Sequence, residues 1–151
     1  MSWLRKFGLF AIVVGIFSFT TTGTAVAKEG VQLSVVVLHA TKGAKRIDPT
    51  MGARMKKSVS TVFGGKYNSF KVLSKSKLKL KKGKKGHLKL PTNQKASVTY
   101  RGKKGVHHKI GLAIPKHKIK MSLSARAGKL FYQAGIRHKK GMLILAFSVI
   151  D

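Results

Sequence analysis

The stretch Phe70–Leu90, FKVLSKSKLKLKKGKKGHLKL, alternates with the two-residue period of a β-strand in its first half. One predicted face is apolar or small: Phe70, Val72, Ser74, Ser76, Leu78 and Leu80. The other face is mostly lysine: Lys71, Leu73, Lys75, Lys77, Lys79 and Lys81. Like charges at this spacing repel each other unless water or an anionic partner lies along them. The stretch therefore predicts a row of lysines on the surface of a sheet.

The first 27 residues have the pattern of an export signal. Arg5 and Lys6 precede a 13-residue apolar run, residues 7–19, and small residues follow at 25–27. That run is shorter than the roughly 20 residues that span a bilayer, although an uncleaved anchor is the alternative. We expect a signal peptide at 1–27 and a single β-rich domain at 28–151. The mature chain would be exported to the periplasm, cell surface or medium, with no transmembrane span after processing.

The charge of the chain is strongly one-sided. Its 151 residues carry 32 Lys and Arg against 3 acids, a formal net charge of +29, and no cysteine. Glu29 and Asp151 lie near the ends of the predicted domain, so Asp48 is its only internal carboxylate. Most of the cations are Lys, which attracts anions as a flexible point charge, whereas Arg recognises them by a fixed planar geometry. This composition favours loose, sequence-independent binding of polyanions.

The segments around the lysine-rich stretch predict strands and one helix. Val31–Ala40 is rich in β-branched residues and predicts a strand. Asp48 and Pro49 predict a helix start, because Asp accepts hydrogen bonds as an N-cap and Pro fits the first turn. Apolar residues at helical spacing follow, and Gly64-Gly65 predicts the end of the helix.

Beyond the lysine-rich stretch, apolar residues alternate with polar ones up to the C-terminal segment Met142–Ile150, which is apolar on both faces. Short strands separated by glycine turns are typical of an antiparallel meander. The predicted fold class is α+β, with one helix packed on a mostly antiparallel β-meander sheet.

The tripeptide Lys-Lys-Gly occurs four times, starting at Lys81, Lys84, Lys103 and Lys139, each near a predicted turn. Glycine allows positive φ and lysine tolerates exposure, so shared turn chemistry explains the recurrence. Charged turns would extend the lysine row into a wider basic surface. The candidate polyanion-binding residues are Lys71, Lys75, Lys77, Lys79, Lys81, Lys82, Lys84, Lys85, Lys89, Lys103 and Lys104.

Catalytic and metal sites have little support in the sequence. Carboxylate chemistry and hard-cation sites need several acids, and the domain interior offers Asp48 alone. The six histidines are loosely spaced, so no metal ligands and no cofactor are predicted. The alternative from another class is a secreted ribonuclease-like enzyme in which His107 and His108, with a lysine, act as general acid and base.

Three segments resemble a group of small exported bacterial proteins of unassigned function. They are SFKVLSKSKL at Ser69–Leu78, LKLKKGKKGHLKLP at Leu78–Pro91 and GMLILAFSV at Gly141–Val149. The resemblance covers most of the mature chain and rests on structural motifs. It implies an exported α+β domain and carries no site residues.

The sequence as a whole predicts an exported, basic, non-enzymatic binding or structural module. Its expected partner is an anionic polymer of the cell envelope, such as lipopolysaccharide or an acidic glycan. Anionic lipid headgroups at the membrane surface and non-specific nucleic acid are further candidates. A third hypothesis is an accessory subunit of an envelope assembly, in which Met142–Ile150 pairs at a sheet edge.

Overall fold

The computed structural model describes residues 30–150, which form nine β-strands, one α-helix and one short 3-10 helix. In order they are β1 (Gly30–Thr41), β2 (Arg46–Ile47), α1 (Ala53–Phe63), β3 (Ser69–Lys81), β4 (Lys85–Lys89), β5 (Lys95–Lys104), β6 (His107–Ile114), the 3-10 helix Pro115–His117, β7 (Ile119–Arg126), β8 (Leu130–His138) and β9 (Gly141–Ile150). The predicted α+β class, with one helix and mostly antiparallel strands, is confirmed. The expected signal peptide at 1–27 lies outside the described residues, as do Glu29 and Asp151.

The strands divide between two sheets. Sheet A has the order β2-β3-β1-β9-β8, and sheet B has the order β4-β5-β6-β7. Within residues 30–150 every pair of neighbouring strands is antiparallel except the short pair of β2 with β3. Residue alternation predicts that a segment is a strand and which of its faces is buried. It does not say which sheet the strand joins, so the division appears only in the structure.

Sheet A is buried on both faces because its central strands are apolar on both sides. Leu33 and Val35 of β1, with Leu145 of β9, belong to a core cluster that also contains the apolar face of sheet B. Leu38 of β1 and Ile144 of β9 belong to a second cluster, with Met51, Val59 and Phe63 from the helix and the turn before it. The layers are therefore helix, sheet A and sheet B.

Sheet B is buried on one face alone. Val98 and Tyr100 of β5 and Ile110 and Leu112 of β6 are at most 2% exposed and point at sheet A. The residues between them belong to the opposite face, because successive side chains of a strand alternate. That outer face carries neither the helix nor another sheet from the described part of the chain.

The helix begins later than the sequence predicts. Asp48 does not cap it: the helix starts at Ala53, and Gly52 occupies the N-cap position without a side-chain hydrogen bond. The Asp48 carboxylate instead accepts hydrogen bonds from Thr50 and from the backbone N–H of Val72 on β3. Because β2 ends at Ile47, the carboxylate takes over the pairing of β3 that the strand no longer provides.

Candidate anion-binding surface

Four lysines of β3 lie in a row on the helix side of sheet A. Lys75, Lys77, Lys79 and Lys81 pair with Val36, Ser34, Gln32 and Gly30 of β1, and all four are exposed. Alternate residues of a strand are roughly 6.6 Å apart along its axis. Beyond Phe70, β3 has no neighbouring strand on its other side, so the row borders an open sheet edge. We call these four residues the β3 lysine row.

Lys71 does not belong to this row, which corrects the predicted face. Val37 pairs with Ser74 whereas Leu38 pairs with Val72, so Leu73 is the extra residue of a β-bulge. A bulge shifts the alternation by one residue. Lys71 therefore pairs with His39 and lies on the sheet B side of sheet A. For the same reason the predicted apolar face divides, since Val72 packs under the helix and Leu78 packs between the sheets.

The chain crosses from sheet A to sheet B through Lys82–Lys84. The N–H of Gly83 donates to the carbonyl oxygen of Tyr100 at 2.7 Å, and the N–H of Tyr100 donates to the carbonyl oxygen of Lys84 at 3.3 Å. Gly83 adopts φ of 76°, which is the positive φ expected of the turn. The exposed side chains of Lys82 and Lys84 stand at this crossing, on the edge that joins β3 to β4.

The remaining candidate lysines lie on sheet B. Lys85 and Lys89 alternate with the buried Leu88 and so belong to the outer face of sheet B, opposite to the face that bears the β3 lysine row. Lys103 and Lys104 end β5 beside Gly105, in the same region as the crossing because Tyr100 contacts Gly83 and Lys84. The predicted basic surface therefore wraps around one edge of the two sheets and is not a single plane.

Asp48 is the only carboxylate of residues 30–150. Its Oδ1 accepts hydrogen bonds from the Thr50 hydroxyl at 2.6 Å and the Thr50 N–H at 2.9 Å, and its Oδ2 accepts one from the Val72 N–H at 3.0 Å. These hydrogen bonds, the Thr50 hydroxyl first, lower the pKa of Asp48, and nearby Lys75 adds to the effect. Lys75 in turn donates to the carbonyl oxygen of Thr50 at 2.6 Å, which fixes one end of the β3 lysine row.

We expect Asp48→Asn to lower the melting temperature above about pH 4 and to have little effect near pH 2. The lowered pKa means that the folded state holds the ionised form, so the stabilisation is present above the unfolded pKa and is lost as pH falls through the folded pKa. Thermal unfolding of both proteins across this range measures the difference. An equal gap in melting temperature at both ends of the range would contradict the assignment.

The histidines of the enzymatic alternative are not brought together. His107 and His108 lie on opposite faces of β6: His108 is 2% exposed and contacts Tyr100, with 3.2 Å between the Tyr100 hydroxyl and His108 Nδ1. His107 pairs with Lys104 and Arg126 on the outer face of sheet B. Within residues 30–150 no three His or Asp side chains gather at metal-binding distance. This pair therefore has no geometry for concerted acid and base action on one phosphodiester.

Two other candidate contacts are placed differently from the prediction. Phe131, expected to be the most exposed aromatic side chain, is half-buried and stacks on Phe147 with ring centroids 5.1 Å apart. The strand β9, which contains residues 142–150, lies between β1 and β8 and so has no free edge for a partner strand. Both side-chain patterns were compatible with exposure, and only the strand order buries them.

Sequence reasoning missed one group of cations. Lys95 and Arg101 of β5, Lys109 of β6 and Lys120 and Arg126 of β7 share the outer face of sheet B with Lys85 and Lys89. The signal was present in the alternation of the segment Lys120–Arg126, KMSLSAR, in which each polar residue falls on one face. These residues are far apart in sequence, so the strand order is needed to place them side by side.

No helix within residues 30–150 has the length and hydropathy to cross a bilayer. Comparisons of the chain with models of protein families, with curated proteins and with solved structures give no match.

Proposed function

We propose that the protein is an exported, non-enzymatic module that binds anionic polymers of the cell envelope through the β3 lysine row and the lysines of the adjacent crossing. The observation that carries this proposal is the register of Lys75, Lys77, Lys79 and Lys81 on one face of an edge strand. Their ammonium groups face the same side at a repeat of roughly 6.6 Å, which is similar to the phosphate spacing along one nucleic-acid strand.

The surroundings of the row support an external partner. Asp48, the sole carboxylate of residues 30–150, is already engaged by Thr50 and Val72, so the fold offers the row little negative charge. Repulsion within the row is then relieved by water, salt or a bound polyanion. The binding would be driven by release of counterions and would be indifferent to the detailed sequence of the polymer.

The same lysines also protect the open edge of β3 from pairing with other chains, since charged side chains block edge-to-edge association. Edge protection requires charge on this strand but no ligand. A binding experiment separates the two roles, because protection alone predicts that the position of the charges does not affect retention on an anionic matrix.

The experiment compares two quadruple variants on phosphocellulose. One replaces the β3 lysine row with Gln; its matched control replaces Lys42, Lys45, Lys66 and Lys140, which are exposed near the other end of β1, with Gln. We expect the row variant to elute at about half the salt concentration of the wild-type protein, and the control to elute near it, because local contacts determine counterion release. Elution of both variants at the same salt concentration would show that total charge alone is responsible.

A further inference from the structure

We propose that a shallow depression around Arg101 and Gly111, on the outer face of sheet B, binds single phosphate monoester groups of the same anionic polymer. This inference rests on the proposed polymer binding and adds to it a second contact and the chemical class of the anion. The site is separate from the β3 lysine row, which lies on the opposite side of the two sheets.

The floor of the depression is made of small residues. Thr99, Gly111 and Ser122 are neighbours across three strands, and Ser97 and Ala113 form the next row. Long cationic side chains stand around this floor, and Lys85, Arg101 and Lys120 line the depression itself. Residues 30–150 place no carboxylate on this face, because Asp48 lies beside β2. Small hydroxyl-bearing residues within a ring of cations leave room for an anion and offer it hydrogen bonds.

Arg101 is held against Gly111. A Cβ atom placed on Gly111 would lie 3.3 Å from one terminal nitrogen of Arg101 and 3.4 Å from its Nε, so the guanidinium occupies the space that a side chain would fill. Gly111 has no side chain of its own to move the guanidinium away. Arg101 follows Tyr100 at a register shift of β5, which sets its position relative to β6. The planar donor group is therefore positioned before any ligand binds, which lowers the entropic cost of binding.

The size of the depression favours one tetrahedral group. Its volume is about 150 Å³, which corresponds to about five water-sized atoms at ~30 Å³ each. A phosphate group has five heavy atoms, whereas a nucleotide is several times larger. The outer-facing positions of β4–β7 carry no Phe, Tyr or Trp, so this face lacks the platform on which nucleobases stack.

The charge of the depression favours phosphate monoesters. Three cations converge on it, and a phosphate monoester carries about −1.5 to −2 at pH 7, which is more than a sulfate or a carboxylate carries. Lys89, Lys95 and Lys109 extend the positive surface beyond the depression. A single free phosphate would leave these outer cations without a partner, so we infer a polymer that bears several such groups.

The test measures the affinity of the protein for soluble cellulose phosphate and for cellulose sulfate, matched in total charge, at one salt concentration. We expect the wild-type protein to prefer the phosphate polymer by about tenfold, as one charge-assisted hydrogen bond allows. Arg101→Gln and Gly111→Ser should reduce this preference to less than about twofold. The Gly111 variant keeps every charge and displaces the guanidinium, because its Cβ would lie 3.3 Å from Arg101.

The matched control is Arg126→Gln, which removes one exposed arginine from the same face but outside the depression. It should keep the preference for phosphate. The β3 lysine row variant should weaken binding to both polymers equally and also keep the preference. Equal wild-type affinity for the two polymers, or loss of the preference in the Arg126 variant, would overturn the phosphate site and leave the proposed function standing. If the row variant bound as tightly as wild type, the proposed function would fail instead.

Two further ligands distinguish the source of the anion. Inorganic phosphate should compete with the polymer only weakly, because it engages the depression alone. A single-stranded DNA oligomer with the same total charge should bind no better than cellulose phosphate, since the face has no stacking side chains. Tight competition by inorganic phosphate would identify a free-phosphate site, and tighter binding of DNA would identify a nucleic-acid surface; either result would contradict a phosphate-bearing glycan.

Discussion

Raising the salt concentration from about 50 mM to about 200 mM is expected to lower the affinity of the protein for cellulose phosphate by about 10³-fold or more. A polymer lying along the edge of the sheets would contact the β3 lysine row and the lysines of the crossing. Proteins that neutralise about six to ten phosphates lose affinity by this amount because each contact releases a counterion. Binding isotherms at four or five salt concentrations give the slope of log K against log salt.

The slope also counts the contacts that each lysine group makes. We expect replacement of the β3 lysine row by Gln to make the slope shallower by about three, since each phosphate contact contributes about 0.7 to 0.9. The control that replaces Lys42, Lys45, Lys66 and Lys140 should keep the wild-type slope, although it changes the net charge equally. A slope near zero for the wild-type protein, or the same slope for both variants, would mean that the polymer does not lie along β3.

The local structure of this chain could be predicted from its sequence because the residue pattern is regular. The period of two identified the strands of the C-terminal half, and Pro115 and the glycines placed their ends correctly. The apolar segment at residues 142–150 was expected to be central and covered by a helix, and β9 occupies that position. These features depend on each segment by itself, so the sequence is sufficient for them.

The parts that escaped prediction depend on contacts between distant segments. The bulge at Leu73 arises where β3 changes from packing on sheet B to packing under the helix, and no residue in its neighbourhood signals it. It moves Lys71 away from the other lysines of β3. Asp48 has the sequence pattern of an N-cap, yet the end of β2 places it beside Val72, where it serves β3.

The candidate site shows the same division. The β3 lysine row was predicted because its members are neighbours in one strand. The depression around Arg101 combines residues from all four strands of sheet B, which are joined only through the register of the sheet. Two basic surfaces on opposite sides of the molecule would allow one protein to contact two polymer segments, which raises the effective concentration at the second contact.

The four Lys-Lys-Gly tripeptides, which the sequence suggested were all turns, differ in what their glycines do. Gly83 and Gly105 adopt φ of 76° and 60°, and a Cβ on either would meet no atom within 4 Å, so these two are turn glycines. Gly86 lies within β4 and Gly141 begins β9. Gly141 pairs with Thr41 of β1 and His138 of β8, and a Cβ there would overlap the carbonyl oxygen of Ala40.

We therefore expect Gly141→Ala to lower the free energy of unfolding by about 3 kcal/mol, and the melting temperature by about 10 °C. The obstructing atom is a backbone oxygen, which cannot rotate away as a side chain can. The new methyl group would also lie 2.8 Å from His39 Nε2, at the side chain that contacts the carbonyl oxygen of His138 at 3.1 Å. Thermal and denaturant unfolding measure both quantities.

Three matched glycine variants give this prediction its scale. Gly83→Ala and Gly105→Ala should each cost about 1 kcal/mol, which is the penalty for a side chain at positive φ in open space. Gly65→Ala, where a Cβ meets no atom within 4 Å and φ is not left-handed, should change stability by less than about 0.5 kcal/mol. If Gly141→Ala were no more destabilising than Gly83→Ala, the close approach of β1 and β9 at this position would be wrong. In that case shared turn chemistry would again explain all four tripeptides.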